Sequence, residues 1–223
     1  MKFIKQFSMS LLAIAASTAA LADTTQPFVA ANATVTLDTT YLTANGYVAK
    51  ALGASVYDAA AGTVTDPVSA VSIVGSGTSG PLDVTFSSTS GMSLTKGLTT
   101  AKLTNFSYDA ATQTLFGNIS VGILLNLTNQ ALLTATTVTG SFGGSSLTNV
   151  STSSGARALS LFATDFVLAD DLKTLLTDNG VDPSSVAFVA SMIKSVAVPE
   201  PTTYALMGLG LVGIAFARRK KQA

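Results

Sequence analysis

Apolar and hydroxylated side chains alternate along most of residues 23–197, and this alternation decides the fold class. It is clearest in TTAKLTNFSYD (99–109), TATTVTGSF (134–142) and RALSLFATDFVL (157–168). Successive side chains of a strand point to opposite faces, so a period of two gives an apolar face and a polar face. Clusters of Gly and Ser at 75–81 and 140–146 indicate loops. The sequence therefore predicts a mainly β protein, an antiparallel β-sandwich or barrel-like domain.

Two segments break the alternation and predict short helices. Residues 39–53 and 168–180 place apolar side chains at helical spacing. The second segment carries Asp170 and Asp171 where the first turn would be, which favours a helix N-terminus. The segment 182–198 follows the second of these helices. It is compatible with either another short helix or a final strand.

Three residue types that carry much enzyme chemistry are absent from the sequence, namely Cys, His and Trp. The absence of Cys excludes thiolate nucleophiles, and the absence of His removes the usual general base and the usual zinc ligand. Asp170 and Asp171 are adjacent on a predicted helix, so they do not face each other as a catalytic pair would. Asp178 and Asp182 resemble a calcium loop only in part. We therefore expect a protein that is not an enzyme, with no catalytic residues, metal site or cofactor.

Asp supplies every acidic group between residues 23 and 198. Eleven Asp against six Lys and Arg give this segment a net charge of −5. A thinly charged, mildly acidic and hydroxyl-rich body is a poor ligand for nucleic acid and suits a secreted protein that meets polar polymers. Several Asp residues lie beside turn residues, which predicts that they stabilise turns: Asp58, Asp66, Asp109, Asp178 and Asp182.

Residues 1–22 have the three parts of a secretory signal peptide. Lys2 and Lys5 form a positively charged start, an apolar stretch follows, and the segment ends at residue 22 in a small-x-small cleavage site. This order predicts export across the inner membrane and cleavage by signal peptidase between Ala22 and Asp23.

An uncharged segment, residues 202–217, lies close to the C-terminus and is followed by basic residues. A helix of this length reaches about 24 Å, a little less than the ~30 Å hydrocarbon core of a bilayer. The sequence predicts one transmembrane helix, with the basic cluster held on the cytoplasmic side. This basic stop consists of Arg218, Arg219, Lys220 and Lys221.

A proline-flanked glutamate precedes the predicted transmembrane helix. The motif is Val198, Pro199, Glu200 and Pro201, and the apolar and basic segments follow it at once. In motif, spacing and position, residues 198–223 resemble the PEP-CTERM sorting signal, which is also catalogued as an ice-binding protein C-terminal domain. The resemblance implies a secreted protein of a Gram-negative bacterium that makes exopolysaccharide, processed by a membrane protease called an exosortase. A single-span anchor with a proline hinge is the alternative that the residues leave open.

A second resemblance concerns the body of the chain. Residues 87–121 are similar to the core strand pattern of HtaA-like bacterial surface domains, some of which bind haem. Those domains use His and Tyr as ligands or supports. This chain has no His, and Tyr41 is the Tyr near the corresponding helix. The resemblance implies a ligand-binding surface module, for haem or a small apolar molecule held between the β body and the helices.

The sequence thus predicts three parts: a signal peptide (1–22), a secreted β-rich domain (23–197) and a PEP-CTERM signal (198–223). The expected function is a non-enzymatic protein of the cell surface or of the exopolysaccharide matrix of a biofilm. The expected partners are signal peptidase, exosortase, exopolysaccharide and, before processing, the membrane, but not nucleic acid. The alternatives are the ligand-binding module and a carbohydrate-active enzyme, which would need two carboxyl groups across a cleft.

Overall fold

The computed structural model of the protein describes residues 23–75, 77–122, 125–178, 182–185 and 188–199. Within these residues, the strands are β1 (Thr24–Thr25), β2 (Asn32–Leu37), β3 (Val48–Leu52), β4 (Val56–Asp58), β5 (Thr63–Ile73), β6 (Ser79–Gly80), β7 (Leu82–Phe86), β8 (Gly91–Lys96), β9 (Thr99–Asp109), β10 (Thr114–Val121), β11 (Leu125–Phe142), β12 (Ser145–Ser146), β13 (Val150–Ser151), β14 (Leu159–Leu168) and β15 (Ile193–Val198). The helices are α1 (Thr39–Ala44), α2 (Asp170–Asp178) and α3 (Phe188–Met192), and a 3-10 turn spans Pro183–Ser185.

Eight of these strands close into an antiparallel barrel. Their order around the ring is β5–β2–β15–β14–β11–β10–β9–β7, and β7 pairs with β5 to complete it. Every neighbouring pair in the ring is antiparallel. The predicted mainly β, antiparallel architecture is confirmed, and the closed ring identifies it as a barrel.

The alternation seen in the sequence fills the barrel with apolar side chains. In β2, for example, Ala33, Val35 and Leu37 are buried, while the residues between them are only half-buried. An eight-stranded barrel is just wide enough for side chains to fill its interior. The result is one continuous core, whose largest fully buried side chains include Phe142, Ile73, Leu82, Met92, Leu94, Leu103, Leu133, Leu159 and Leu161.

The two ends of the barrel carry different structures. At one end β2 and β14 finish and lead into α1 and α2, and α3 precedes β15; we call this the helical end. At the other end β15 finishes at Val198 and β2, β7, β10 and β14 begin; we call this the tail end. Residues 143–158 cover the tail end, where Leu82 N donates a hydrogen bond to Leu147 O at 2.8 Å.

The barrel wall between β5 and β9 is divided into two parts. Towards the tail end β7 bridges these two strands, whereas towards the helical end β4, β3 and β8 lie between them. Asp66 accepts a hydrogen bond from Ser55 Oγ, and Ser55 Oγ accepts one from Gly91 N at 2.7 Å. Because Ser55 lies between β3 and β4 and Gly91 begins β8, these bonds join β5 to the β3–β4 connection and to the start of β8.

The prediction that Asp66 lies beside a turn is wrong. Asp66 lies within β5, in the same inward-facing phase as the buried Val64 and Val68, and is 2% exposed. Desolvation by burial raises the pKa of Asp66, and the hydrogen bond from Ser55 lowers it in part.

The helix predicted over residues 39–53 forms only in its first part. Asp38 caps α1 through its carboxylate, and the helix ends at Ala44. Gly46 then has a φ of +69°, a conformation that glycine adopts without steric cost. Residues 48–52 pair with β8 as strand β3 instead of continuing the helix.

The helix predicted over residues 168–180 is confirmed as α2. Asp170 and Asp171 occupy its first turn as predicted, and Asp170 pairs with Lys173 at 2.8 Å. The segment 182–198, for which a helix and a strand were both possible, contains both, namely α3 and β15. The described part of the chain therefore has three short helices where two were expected.

The predicted signal peptide, residues 1–22, and the predicted transmembrane helix, residues 202–217, lie outside the described residues. Among the residues that are described, no helix combines the length and the apolar character needed to cross a membrane. Both predictions therefore stay predictions.

Candidate functional site at the carboxyl end of the last strand

The last strand, β15, is built into the barrel wall between β14 and β2. Val198 is the register partner of Leu161, and Ala197 is the register partner of Thr34. Val196 and Val198 belong to the core and are 5% and 1% exposed. Closure of the barrel therefore involves the last three residues of this strand.

Pro199 follows β15 directly and is the last described residue. Its side chain is half-buried. Proline has no backbone N–H and cannot continue a strand ladder, so the sheet ends here. Of the four predicted motif residues, the structure describes Val198 and Pro199, whereas Glu200, Pro201 and the predicted basic stop at 218–221 lie outside the described residues.

The first described residues lie at the tail end as well. Strand β1 pairs with the final residues of β5, and Asp23 Oδ1 accepts a hydrogen bond from Gly75 N at 3.0 Å. Both β5 and β15 run towards this end of the barrel. Asp23, the predicted start of the mature chain, is therefore at the same end as Val198, whereas its predicted cleavage partner Ala22 is outside the described residues.

Arg157 connects the segments that cover the tail end. Its guanidinium carbon lies 4.4 Å from the centroid of the Phe142 ring, which is a cation–π contact. Its Nη2 atom donates hydrogen bonds to Gln26 Oε1 at 3.2 Å and to Ser151 O at 2.7 Å. These contacts fasten the N-terminal segment and the 143–158 cover to β11, at the end where the chain leaves the barrel.

The C-terminal part of the chain, beginning in β15, matches the sequence model of a known protein family. Residues 197–221 match the PEP-CTERM protein-sorting motif. The chain carries a PEP-CTERM sorting motif. The resemblance predicted for the tail is thereby confirmed, and the motif implies export and processing by exosortase, a membrane protease. No curated protein and no solved structure matches the chain, and the HtaA-like resemblance of residues 87–121 stays an expectation.

The PEP-CTERM match begins inside the barrel. Its first two residues, Ala197 and Val198, are the last two residues of β15. The sequence placed the boundary between secreted domain and tail after residue 197, whereas the folded strand continues to Val198. The last two residues of β15 thus belong both to the barrel and to the PEP-CTERM motif, and no linker separates the two.

Carboxylates gather near the beginning of β7 at the tail end. Asp83 on β7 is the register partner of Asp109 on β9, and Asp23 adds to their mutual repulsion. Burial of Asp83, with further repulsion from Asp109 and Asp23, raises the pKa of Asp83 to about 6. The barrel end that carries the PEP-CTERM motif therefore gains negative charge as the pH rises through mildly acidic values.

We predict that Asp83→Asn stabilises the protein at neutral pH but not at pH 4. Because its pKa is raised on folding, from about 3.9 in unfolded chains to about 6, Asp83 holds its proton more tightly in the folded state. The free energy of unfolding therefore falls as the pH rises from about 3.9 to about 6 and Asp83 loses its proton. Asn does not titrate, so the variant does not lose this stability. Solvent screens this half-buried group, so we expect a gain of about 2–4 °C in melting temperature at pH 7.5.

Thermal unfolding of both proteins between pH 4 and pH 8 checks this prediction. The melting temperatures should converge at pH 4 and separate as the pH rises. A constant difference across this range would show that ionisation of Asp83 does not affect stability.

The other acidic residues singled out in the sequence have local roles. Asp182 accepts hydrogen bonds from Ser184 N at 2.9 Å and from Ser184 Oγ at 2.6 Å, and these bonds lower its pKa. Asp170 and Asp171 begin α2, as described above. Within the described ranges, no group of three or more carboxylates is arranged to hold a metal ion.

Two cavities inside the barrel are small. One, of about 20 Å³, is lined in part by Asp66 and Phe106, and another, of about 10 Å³, in part by Leu161 and Phe166. A single water molecule requires roughly 10–15 Å³ on this measure, so neither cavity could hold haem. Tyr41, the residue considered as a haem support, packs half-buried against the apolar core.

Two features of the body were missed by reasoning from the sequence. The first is the buried Asp66, for which a signal existed, because Val64 and Val68 flank it at a spacing of two residues. The second is a pocket beside Tyr108, whose lining comes from separate strands and loops. No local pattern could have indicated this pocket.

Proposed function

We propose that the protein is an exported, non-enzymatic component of the bacterial surface or of the exopolysaccharide matrix. Signal peptidase removes residues 1–22, and an exosortase-type protease then acts at the PEP-CTERM motif, outside the inner membrane of a Gram-negative cell. The observation that carries this proposal is the PEP-CTERM match over residues 197–221, which begins in the last strand of the barrel.

The outer surface of the barrel supports a role in contact with polar polymers. Five neighbouring strands align hydroxyl side chains in one row, with strands about 4.8 Å apart. The row consists of Thr137, Thr164, Ser195, Thr36 and Thr63. Hydroxyl groups donate and accept hydrogen bonds without carrying charge, which suits contact with the hydroxyl groups of a polysaccharide.

The short connection to the predicted membrane segment supports processing close to the membrane. Three residues, 199–201, lie between Val198, the end of β15, and Thr202, where the uncharged segment begins. The four Cα–Cα steps from Val198 to Thr202 extend at most about 14 Å. The tail end of an unprocessed barrel would therefore be held at the membrane surface, where a membrane protease acts.

Intact-mass measurement of the protein recovered outside the cells tests this proposal. We expect a species that begins at Asp23 and lacks residues 218–223, because both terminal segments are removed. A secreted species whose mass still includes either segment would contradict the proposed processing.

A pair of single substitutions tests whether the PEP-CTERM motif directs the processing. Glu200→Gln removes the charge of the motif, and we expect this variant to stay in the membrane fraction with its C-terminus intact. Thr203→Ser, a conservative change three positions further on, is the matched control and should be processed normally. Normal processing of Glu200→Gln would show that this carboxylate is not what the protease recognises.

A further inference from the structure

Half of the basic residues of the body lie on three neighbouring strands of the barrel wall. Lys50 is on β3, Lys96 ends β8 and Lys102 is on β9, and all three are exposed; we call them the wall lysines. Residues 23–198 contain six Lys and Arg in total. The sequences of β3, β8 and β9 contain one acidic residue, Asp109, which is seven positions from Lys102 (109 minus 102) and lies at the tail end.

The charge of the wall lysines is not neutralised by an ion pair within the described residues. The two ion pairs found there join Lys173 to Asp170 at 2.8 Å and Lys194 to Asp38 at 3.5 Å. Neither pair includes a wall lysine. Although the body as a whole is acidic, this face therefore presents positive charge to the surroundings, which attracts anions.

Two of the wall lysines belong to one row of side chains that crosses five strands. Lys50 on β3 and Lys102 on β9 are both register partners of Ser93 on β8. The row continues from Lys102 through Ser120 on β10 to Asn126 on β11. Because neighbouring strands are about 4.8 Å apart, the row is about 19 Å long and its two lysines are about 10 Å apart.

This lysine row is on the outer face of the barrel. Lys50, Lys102 and Asn126 are exposed, Ser120 is half-buried, and Ser93 is covered between the two lysines. Residues that precede or follow members of the row in the chain have the opposite phase and are buried in the core, namely Ala49, Leu94, Leu103 and Ile119. All five side chains of the row are polar and none is acidic, so it combines two positive charges with groups that form hydrogen bonds.

The composition and spacing of the lysine row restrict what it could bind. Double-stranded DNA carries one negative charge per about 1.7 Å, far denser than two lysines about 10 Å apart. The row also has no aromatic side chain on which a base could stack, and no apolar side chain that could enter a lipid bilayer. A linear polymer with widely spaced anionic groups and hydroxyl groups between them fits these features.

We propose that the lysine row binds an acidic polysaccharide, a polymer whose sugar units carry carboxylate groups. Carboxylates pair with Lys50 and Lys102, and sugar hydroxyl groups form hydrogen bonds with Ser120 and Asn126. Lys96, nearer to the helical end, adds to the positive potential. The choice of a polysaccharide rests on the proposed function, whereas the acidic class rests on the wall lysines. Sorting at the PEP-CTERM motif does not involve this face, so the two proposals fail independently.

Biolayer interferometry of the full-length protein on immobilised polygalacturonate tests the proposal, with dextran as the neutral polysaccharide and polyglutamate as the polyanion without sugar hydroxyls. Polygalacturonate should bind more tightly than either control, and its binding should weaken as the salt concentration rises. Equal binding to dextran would contradict the acidic class, and equal binding to polyglutamate would contradict the assignment to a polysaccharide. Absence of binding to polygalacturonate would overturn the proposal.

Two double variants with the same change in net charge locate the binding face. Lys50→Gln combined with Lys102→Gln should weaken binding to polygalacturonate about five- to thirtyfold, the effect of two lost exposed ion pairs. Lys173→Gln combined with Lys194→Gln is the matched control and should bind like the unaltered protein. Both variants should melt close to the unaltered protein, because all four residues are on the surface. Equal losses of binding would show that net charge, not the lysine row, controls it.

A third variant tests for an apolar contact beside the lysine row. Leu98, in the turn between β8 and β9, is fully exposed and lies close to Lys96 in the chain. Leu98→Ser should leave binding to polygalacturonate unchanged, because the row itself contains no apolar side chain. A loss as large as that of the Lys50 and Lys102 double variant would show that the turn makes the contact, and would overturn the assignment to the lysine row.

Discussion

A chain of residues 23–199 should fold like the complete barrel, whereas a chain of residues 23–195 should not. The longer chain keeps β15 whole and loses only residues beyond the barrel. The shorter chain loses Val196, Ala197 and Val198, and with them the pairing to the middle of β14 and to the start of β2. The family match begins at residue 197, so the two truncations separate the fold from the sorting motif.

The size of this effect follows from burial. Burying one Val side chain contributes roughly 1.5–3 kcal/mol, and Val196 and Val198 are both buried. The truncation also leaves the edges of β14 and β2 unpaired, which lowers the free energy of unfolding further. A typical domain has a total stability of only about 5–15 kcal/mol, so we expect most of it to be lost. Urea unfolding followed by circular dichroism measures the difference. Similar midpoints for the two chains would show that the end of β15 is dispensable.

Phe142→Ala should be the most destabilising single substitution at the tail end. Phe142 is fully buried at the end of β11 and lies under the guanidinium of Arg157. Removing such a side chain costs about 3–5 kcal/mol. For a protein of this size, that corresponds to a fall of about 6–20 °C in melting temperature. Differential scanning calorimetry or a thermal melt measures it directly.

Phe162→Ala is the matched control. Phe162 lies on the neighbouring strand β14, but it points outwards and is 45% exposed. We expect its replacement to change stability by less than about 1 kcal/mol. Comparable losses for Phe142→Ala and Phe162→Ala would mean that the barrel interior does not dominate stability at this end.

The strands could be predicted from the sequence because their signal is local. A period of two in segments such as 99–109 and 134–142 is fixed by neighbouring residues. Closure into a barrel could not be predicted, since it depends on β7 pairing with both β5 and β9. Local patterns are compatible with either a sandwich or a ring, and only these long-range pairs decide between them.

Residues 48–52 show how tertiary pairing overrides local spacing. Val48 and Leu52 fit a helix together with the preceding residues, yet this segment pairs along its length with β8. Backbone hydrogen bonds to a neighbouring strand outweigh a weak helical preference that a glycine already reduces. The same limit applies to Asp66, whose partner Ser55 comes from a separate turn.

The PEP-CTERM motif and the pocket beside Tyr108 also differ in how far the sequence alone predicts them. The PEP-CTERM motif is a contiguous run of residues, so the sequence alone was enough to identify it. The pocket at the tail end draws Tyr108, Val138 and Ser146 from separate strands. Within the described residues, the burial of the Tyr108 hydroxyl without a hydrogen-bond partner and the positive φ of Gln113 are properties of the folded chain alone.

The position of β15 also sets the order of events during export. Val35 and Val196 are register partners, although 161 positions separate them in the chain (196 minus 35). A polypeptide that emerges N-terminus first cannot complete this ring until nearly all of its residues have crossed the membrane. In the proposed route, the uncharged segment 202–217 would by then have reached the bilayer. With this proposed anchor, the newly exported chain would fold while still tethered to the membrane. Cutting before β15 has paired would free an open sheet whose unpaired edges invite aggregation.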